Sequence, residues 1–358
     1  MNEGNLRVGI VGGGASGLFA CCQLINNAAH SSDKLDITIL EKMSEVGKKL
    51  TLTGHGRCNI TNRKDISAFK LGMNESANFL HPSLKNFSPE DTIKFMEETL
   101  GMPLKEEDNN RMFPVADSAV VVRDNLVKYI ENSDVKVRIL KNSNVVDIRK
   151  PMDFEVHTDN MVYHFDILIL ACGGASFPQT GSIGDSYRFA SELGHKVEPT
   201  RAALSGIKVA EKDREVTSAL SGVSVNANAS LYYSNSKASS VEGDILFTET
   251  GLSGPAIMTL SREVPTDIDE LDGWIELDFV PSYSDEDFDK ELQNLINSKP
   301  DTKIVNLGAN FVPQSLSREL AKRAEVTDLF AQNLSKTHRK AFVKEMKHLE
   351  LAIDEAPS

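Results

Sequence analysis

Apolar and polar positions follow two textures along this chain. Up to about Lys196, short apolar runs alternate with stretches of helical periodicity; beyond it, strands of alternating pattern give way to a helical pattern. Val8, Gly9, Ile10 and Val11 form a β-branched-rich run that suits a strand buried on both faces of a parallel sheet. Leu18, Cys21, Leu24 and Ile25 follow at helical spacing, and Asp36 to Leu40 reads as a second strand. Ser88-Pro89-Glu90-Asp91 carries the marks of a helix start, with Ser as N-cap, Pro in the first turn and Asp at the capping-box position. Ile93, Met96 and Leu100 form that helix's apolar stripe, and Gly101 ends it. Asp117 is expected to cap a further helix carrying Ala119, Val122, Leu126 and Ile130, followed by a strand over 135–140. Short alternating stretches at 145–148, 154–157 and 161–165 predict a β-meander. Asp166 to Gly174, DILILACGG, is another buried strand leaving through glycines, and Asp185 is expected to cap the helix behind it.

Strand, turn and helix around residues 8–25 frame the first candidate chemistry. Gly12-Gly13-Gly14-Ala15-Ser16-Gly17 matches G-x-G-x-x-G. Gly12 permits the tight turn, Gly14 admits a pyrophosphate close to the backbone, and Gly17 lets helix and strand pack closely. An anion held there meets the unpaired N–H groups and positive end of the helix. Glu41 closes the second strand at about the spacing, roughly 20 residues past the glycines, expected of a carboxylate that holds ribose hydroxyls. An acid at that position disfavours a 2′-phosphate, so the pattern reads as an FAD or NAD pocket rather than an NADP pocket.

The 358 residues allow two or three domains. The formal net charge of −13 opposes a nucleic-acid backbone, so no nucleic-acid partner is expected. A late basic group, Lys336, His338, Arg339, Lys340, Lys344 and Lys347, reads as a solvated helix face. No apolar run approaches a membrane span, and the N-terminal residues lead into a glycine turn rather than a signal peptide, so a cytoplasmic location is expected. Cys21, Cys22, Cys58 and Cys172 and the scattered histidines show no metal-ligand spacing, and no metal is expected. Cys21 and Cys22 read as small buried apolar residues.

After Glu41 the chain runs GKKLTLTGHGRCNITN, in which Gly47, Lys48, Lys49, Gly56 and Arg57 are candidates to line a phosphate. This segment resembles the G-R-K-L-L-x-T-G-x-G-R-C-N-x-T-N stretch of a bacterial FAD-dependent oxidoreductase family, described as aminoacetone-oxidase-like or 3-dehydro-bile-acid reductase-like. Arg111-Met112-Phe113-Pro114, with Asn110 in place of the family's glycine, continues the resemblance. So do the glycine exit after Cys172 (the family has Thr there), ASFPQTGSIGDSYRFASELGH with Ser186 for glycine, and GDILFTETGLSGPAIMTL with Glu249 for a common His.

The resemblance implies an α/β fold: a Rossmann-like, glutathione-reductase-type FAD-binding domain (1–195), an inserted antiparallel β-domain (196–283) and a small helical domain (284–347). Family members return to the first domain through an A-x-V-T-x-G-G-V strand. Residues 348–358 are expected to be a curtailed form of that return, leaving the FAD domain short of a strand. FAD is the implied cofactor, with Gly12, Gly14, Ala15, Ser16, Gly17, Glu41, Lys42, Lys49, Arg57, Cys58, Val145 and Gly173 along it; Val145 would reach the adenine through its backbone.

The implied activity is an oxidoreductase that takes electrons from transiently bound NAD(P)H and passes them to a small unsaturated or carbonyl compound. The resemblance assigns no catalytic residue; Arg57, Cys58 and Glu249 are candidates for a proton donor. Ser253 and Pro255 mark a helix start that either faces substrate or merely packs. Alternatives are an incomplete or inactive flavin-fold subunit and a tRNA-modifying flavoenzyme.

Overall fold

The computed structural model describes residues 5–29, 34–71, 77–200, 202, 204–265, 268 and 272–355. The chain divides into two compact units between Glu198 and Pro199.

The first unit runs β1 (Leu6–Val11), α1 (Ala15–Ala28), β2 (Leu35–Leu40), β3 (Thr61–Asn62), α2 (Ile66–Leu71), α3 (Ala77–Asn86) and α4 (Pro89–Lys94). It continues through β4 (Leu104–Glu107), β5 (Arg111–Pro114), α5 (Ala119–Glu131), β6 (Lys136–Leu140), β7 (Val145–Arg149), β8 (Phe154–Thr158), β9 (Val162–Phe165), β10 (Ile167–Leu170) and α6 (Asp185–Glu192). The central sheet has the order β10-β1-β2-β6 and is parallel throughout. Val8, Ile10 and Val11 lie beside Ile37, Ile39 and Leu40, all essentially buried. A run apolar on both sides needs cover on both sides. Leu18, Cys21, Cys22 and Ile25 of α1 and Val122, Leu126 and Ile130 of α5 share one core with β1 and β2. Val11 and Leu40 share another with Ile148, Val156 and Phe165 of the β7-β8-β9 meander and with Phe189 of α6.

Ser88 and Asp91 form the capping box that their spacing predicts. Two expected caps differ. Asp117 has a left-handed backbone (φ +49°) and gives its carboxylate to Arg57 and Lys105, so the Ser118 hydroxyl accepts the Val121 N–H and caps α5. Asp185 pairs with Lys42, and Gly184 at φ +88° occupies the N-cap of α6.

The second unit runs β11 (Ile207–Lys208), α7 (Arg214–Ala219), β12 (Ser224–Tyr233), β13 (Ser236–Thr248), β14 (Gly251–Ser253), α8 (Pro255–Leu260) and β15 (Trp274–Asp278). It ends with α9 (Asp285–Ser298), α10 (Ile304–Gly308), α11 (Gln314–Arg323), α12 (Lys336–Lys347) and β16 (Leu349–Ala352). The strand order is β11-β14-β13-β12-β15-β16. Val209 bridges Ile353, Ala210 N–H donates to the Ala352 carbonyl at 2.8 Å, and Asp354 N–H donates to the Lys208 carbonyl at 3.1 Å. These contacts join the first and last strands, and the sheet closes into a barrel without free edges.

Residues 348–353 therefore belong to the barrel instead of returning to the nucleotide domain; residues 356–358 of that expected segment lie outside the described residues. Nor do 284–347 form a separate body. Phe288, Leu292, Leu316, Leu320, Phe342 and Met346 share one core with Leu231, Phe247, Ile275 and Leu277 of the barrel. Phe330, between α11 and α12, is 41% exposed. Lys347 leaves the solvated basic face: its ammonium is buried, on the Asp278 carboxylate at 2.7 Å and the Tyr283 carbonyl at 2.5 Å. Among the described residues no helix is long and apolar enough to cross a membrane.

His348 lies just past the C-terminal end of α12, with Nδ1 3.2 Å from Glu276 on β15 and Nε2 3.0 Å from Asp285 in the first turn of α9. An imidazole facing acceptors on both sides satisfies them only as the doubly protonated cation. Burial opposes that charge, but Asp285 and Glu276 outweigh it and hold the pKa above the ordinary 6.5. A raised pKa gives stabilisation that is complete below the unfolded-state value and lost as pH rises through the folded-state value. The gap in melting temperature between wild type and His348→Gln is therefore widest between about pH 5 and 6.5 and narrows in more alkaline buffer, as scanning calorimetry at stepped pH will measure.

Candidate functional site

β1 ends at Val11, and the chain turns through Gly12 at φ +107°. A Cβ on Gly12 would lie 2.4 Å from the Ala171 carbonyl oxygen, and one on Gly17 would lie 1.9 Å from the Gly12 carbonyl oxygen. Both positions therefore demand glycine, Gly12 for the turn and Gly17 for the seat of α1 on it. Gly14 differs. A Cβ there meets nothing within 4 Å, because it projects into open space in front of the helix. No side chain caps the N-terminus of α1 at Gly14, so its first-turn N–H groups face that space without a side-chain acceptor.

Glu41 leaves the end of β2 and folds back on this turn. Its Oε2 accepts the Gly13 N–H and its Oε1 the Met43 N–H, both at 2.8 Å. A cavity of about 300 Å³ opens beside this carboxylate and the α1 N-terminus. Gly12, Gly14, Ala15, Ser16, Glu41, Lys42, Lys49, Val145 and Gly173, all candidates by sequence, line it together. Their charges are partly committed. Lys42 pairs with Asp185 at 2.8 Å, and the Lys49 ammonium donates to the Ser176 carbonyl at 2.6 Å. Lys48 adds a third cation to the wall.

Of the sequence candidates for the cofactor and its phosphates, Gly17, Gly47, Gly56, Arg57 and Cys58 do not line the cavity. Gly17 acts underneath it, through packing. Arg57 is held between Glu107 and Asp117 with its guanidinium 4.4 Å from the Phe113 ring centre, and the Glu107 bond raises its pKa further. Cys58 is 5% exposed with φ +64°, and burial pushes its thiol up. Neither Arg57 nor Cys58 is among the residues that line the cavity. Glu249 is exposed in the turn between β13 and β14 of the barrel unit. α8 packs against β13 with Ala256, Ile257 and Leu260 buried, which favours the packing role for the helix that Pro255 opens.

The cavity also takes residues that motif spacing did not single out: Ser143 and Asn144 after β6, Thr180, Gly181 and Ser182 after β10, and Asp185 and Phe189 of α6. The signal for the Thr180–Asp185 loop was its glycine pair; Gly181 and Gly184 have φ +94° and +88°. Cys172 lies in the same wall with its thiol pushed up by burial.

The donor set suits a dinucleotide: main-chain N–H groups at a helix start for a diphosphate, and a fixed carboxylate for a ribose diol. Gly17→Ala is expected to lower the melting temperature by several degrees, because the added methyl meets backbone. Gly14→Ala is expected to melt with the wild type yet bind a dinucleotide more weakly, because its methyl enters only the cavity. Calorimetry and cofactor content measured on the same preparations will separate the two outcomes.

Comparison with known proteins accords with this geometry. Residues 6–260 match the HI0933-like protein Rossmann domain, and residues 201–357 match the HI0933-like protein barrel and H2TH domain. The chain is 26% identical over 352 residues to the 3-dehydro-bile acid delta(4,6)-reductase of Clostridium scindens, covering 98% of this chain and 83% of that protein. It is also 26% identical over 349 residues to the ribosomal RNA dihydrouridine synthase of Haemophilus influenzae, covering 95% and 80%. The Escherichia coli protein of the same name is 26% identical over 340 residues, covering 93% and 78%. The family resemblance carried by GRCNITN is borne out. With one family description matching a Rossmann domain over most of the chain and the other a barrel over the rest, the chain belongs to the HI0933-like family of FAD-dependent oxidoreductases.

Proposed function

We propose that this oxidoreductase holds FAD in the cavity between Glu41 and the N-terminus of α1. There it reduces a carbon–carbon double bond conjugated to a carbonyl group in a small molecule, with NAD(P)H as the transient electron donor. The observation that carries the cofactor's placement is the Glu41 carboxylate, fixed on the Gly13 N–H at the mouth of an uncapped helix. The names of the relatives support the reaction class. A 3-dehydro-bile acid delta(4,6)-reductase and a dihydrouridine synthase both add hydrogen across double bonds that a carbonyl activates.

Bound FAD supplies hydride exchange at its reactive ring, chemistry that belongs to the cofactor. The chain's own residues bind and orient. The N–H groups of Ala15 and Ser16 at the helix start take the diphosphate, Glu41 takes the ribose hydroxyls, and Val145 borders the adenine. Lys48 and Lys49 offset phosphate charge, while Lys42 is already neutralised by Asp185 and contributes shape more than charge.

Two relatives carry the name of a ribosomal RNA dihydrouridine synthase, which favours a second reading with a uracil ring in RNA as acceptor. Net charge of −13 opposes it. Locally, only Lys336, Lys340 and Lys344 of the late basic group stay exposed as lysines on α12.

Purified protein is expected to absorb at about 370 and 450 nm, the bands of oxidised flavin. Glu41→Gln is expected to weaken FAD binding by about tenfold or more, since a neutral amide replaces a charged acceptor. NADH or NADPH consumption should rise with conjugated enones and stay at background with saturated ketones. A colourless protein that FAD cannot reconstitute would sink the proposal. Turnover of ribosomal RNA with a steep salt dependence, and none of enones, would put the second reading in its place.

A further inference from the structure

Sheet order places β1 between β10 and β2. A segment that leaves β10 and reaches the residues after β2 must therefore cross the carboxyl end of β1, in front of the glycine turn. Residues 173–184 make that crossing. They start from Cys172 and Gly173 in the cavity wall and rejoin the wall at Thr180, Gly181 and Ser182 before entering α6. On the β2 side, a Cβ on Gly181 would lie 3.0 Å from Met43 and 3.1 Å from Lys42, so the loop rests on the segment that Glu41 fixes. Among the described residues its main-chain hydrogen bonds close within the loop: the Thr180 N–H donates to the Phe177 carbonyl and the Gly181 N–H to the Pro178 carbonyl. Two ammonium groups tie it to the far side. Lys49 Nζ donates to the Ser176 carbonyl at 2.6 Å, and Lys42 Nζ pairs with Asp185 at 2.8 Å where the loop meets α6. Left-handed glycines stand at both ends, Gly173 at φ +76° and Gly184 at φ +88°, and a few such terminal residues are enough to absorb the rotation of a hinge.

We propose that residues 173–184 are a strap across the nucleotide cavity, buckled by Lys42 and Lys49, which swings on Gly173 and Gly184 to admit the cofactor and sets the rate at which it leaves. The proposal rests on the reading of this cavity as an FAD site. Size supports it. At about 300 Å³ the cavity stands at the lower end of the range of about 300 to 1,000 Å³ that drug-sized ligands fill, and a dinucleotide is larger than those. The strap is the wall that gives way at least cost, because its main-chain bonds travel with it and only the two lysine bonds are broken. The sign of the Asp185 charge makes this account specific. Acting directly, a carboxylate in the wall repels an anionic cofactor and weakens its hold. Acting as half of a buckle, the same carboxylate keeps the strap shut and slows the cofactor's departure.

Release of FAD from the loaded protein, followed by the rise of flavin fluorescence on dilution, is expected to be about fivefold faster in Lys49→Met and in Asp185→Asn than in the wild type. The double variant Lys42→Met/Asp185→Asn is expected to release FAD no faster than Asp185→Asn, because both changes cut one bond. Alkylation of Cys172 by iodoacetamide, located by mass spectrometry in cofactor-free protein, gives a readout that needs no flavin. That thiol stands at the foot of the strap, whereas Cys21, Cys22 and Cys58 are buried. Lys49→Met leaves the charges of Asp185 and Lys42 beside the thiol in place, and is expected to speed its reaction by about fivefold. Slower release from Asp185→Asn overturns the proposal, as do additive effects in the double variant or a Cys172 that reacts equally fast in wild type and Lys49→Met. A protein that binds no FAD, but whose Cys172 is opened by Lys49→Met, overturns the cofactor assignment and upholds the strap. One that binds FAD and releases it at the wild-type rate in every variant overturns the strap alone.

Discussion

The bond from the Gly13 N–H to the Glu41 carboxylate organises the nucleotide unit. It ties the turn after β1 to the residue after β2, two points that neighbour each other only because the strands run parallel in register. The other carboxylate oxygen holds the Met43 N–H, so the side chain is fixed by the fold before any ligand arrives. That order matters energetically. A carboxylate already held in one rotamer loses little freedom on binding a diol, and the entropic cost of arranging the site falls on folding rather than on association. Glycine at 12 and 17 is part of the same constraint, because any larger residue would push α1 off the turn and separate the helix start from the carboxylate.

The segment that carries the family resemblance divides between the cavity wall and an ion-pair network beside it. Arg57 is locked by Glu107 and Asp117 over the Phe113 ring, and Lys105 joins the same two carboxylates. The network joins the stretch after β2 to β4 and to the approach to α5. Such exposed ion pairs are each worth little, but sharing two acids between two cations and one ring fixes the path of the loop. Lys48, Lys49 and Leu50 are thereby presented to the cavity while Arg57 and Cys58 brace the wall from outside it. Of this motif, Lys48, Lys49, Leu50 and Thr53 line the cavity.

Each unit answers the problem of the sheet edge in its own way. The barrel removes its edges by bonding its first strand to its last, and its helices fill one shared core with it. Among the described residues the Rossmann sheet has two edges, one guarded by cations and the other apolar. Strand texture and strand position thus disagree at β10: an apolar run of the kind found inside a parallel sheet stands at the edge among the described residues.

Local chemistry settled much by itself. β1, the glycine turn, α1 and Glu41 were legible because glycines, β-branched runs and one acid encode the geometry within a few dozen neighbouring residues; the capping box of Ser88 and Asp91 was equally local. Long-range contact decided the rest. Asp117 and Asp185 look like caps in sequence, but partners 60 and 143 positions away, Arg57 and Lys42, take their carboxylates. The long β13 hid in a polar stretch, SKASSVEGD, because its cross-strand partners in β12 supply the pattern. Leu349–Ala352 has the same alternation whichever sheet receives it, and only the hydrogen bonds available at the open side of the barrel determined where it went. Periodicity tells a residue which face to bury; which surface buries it depends on the elements that arrive from elsewhere in the chain.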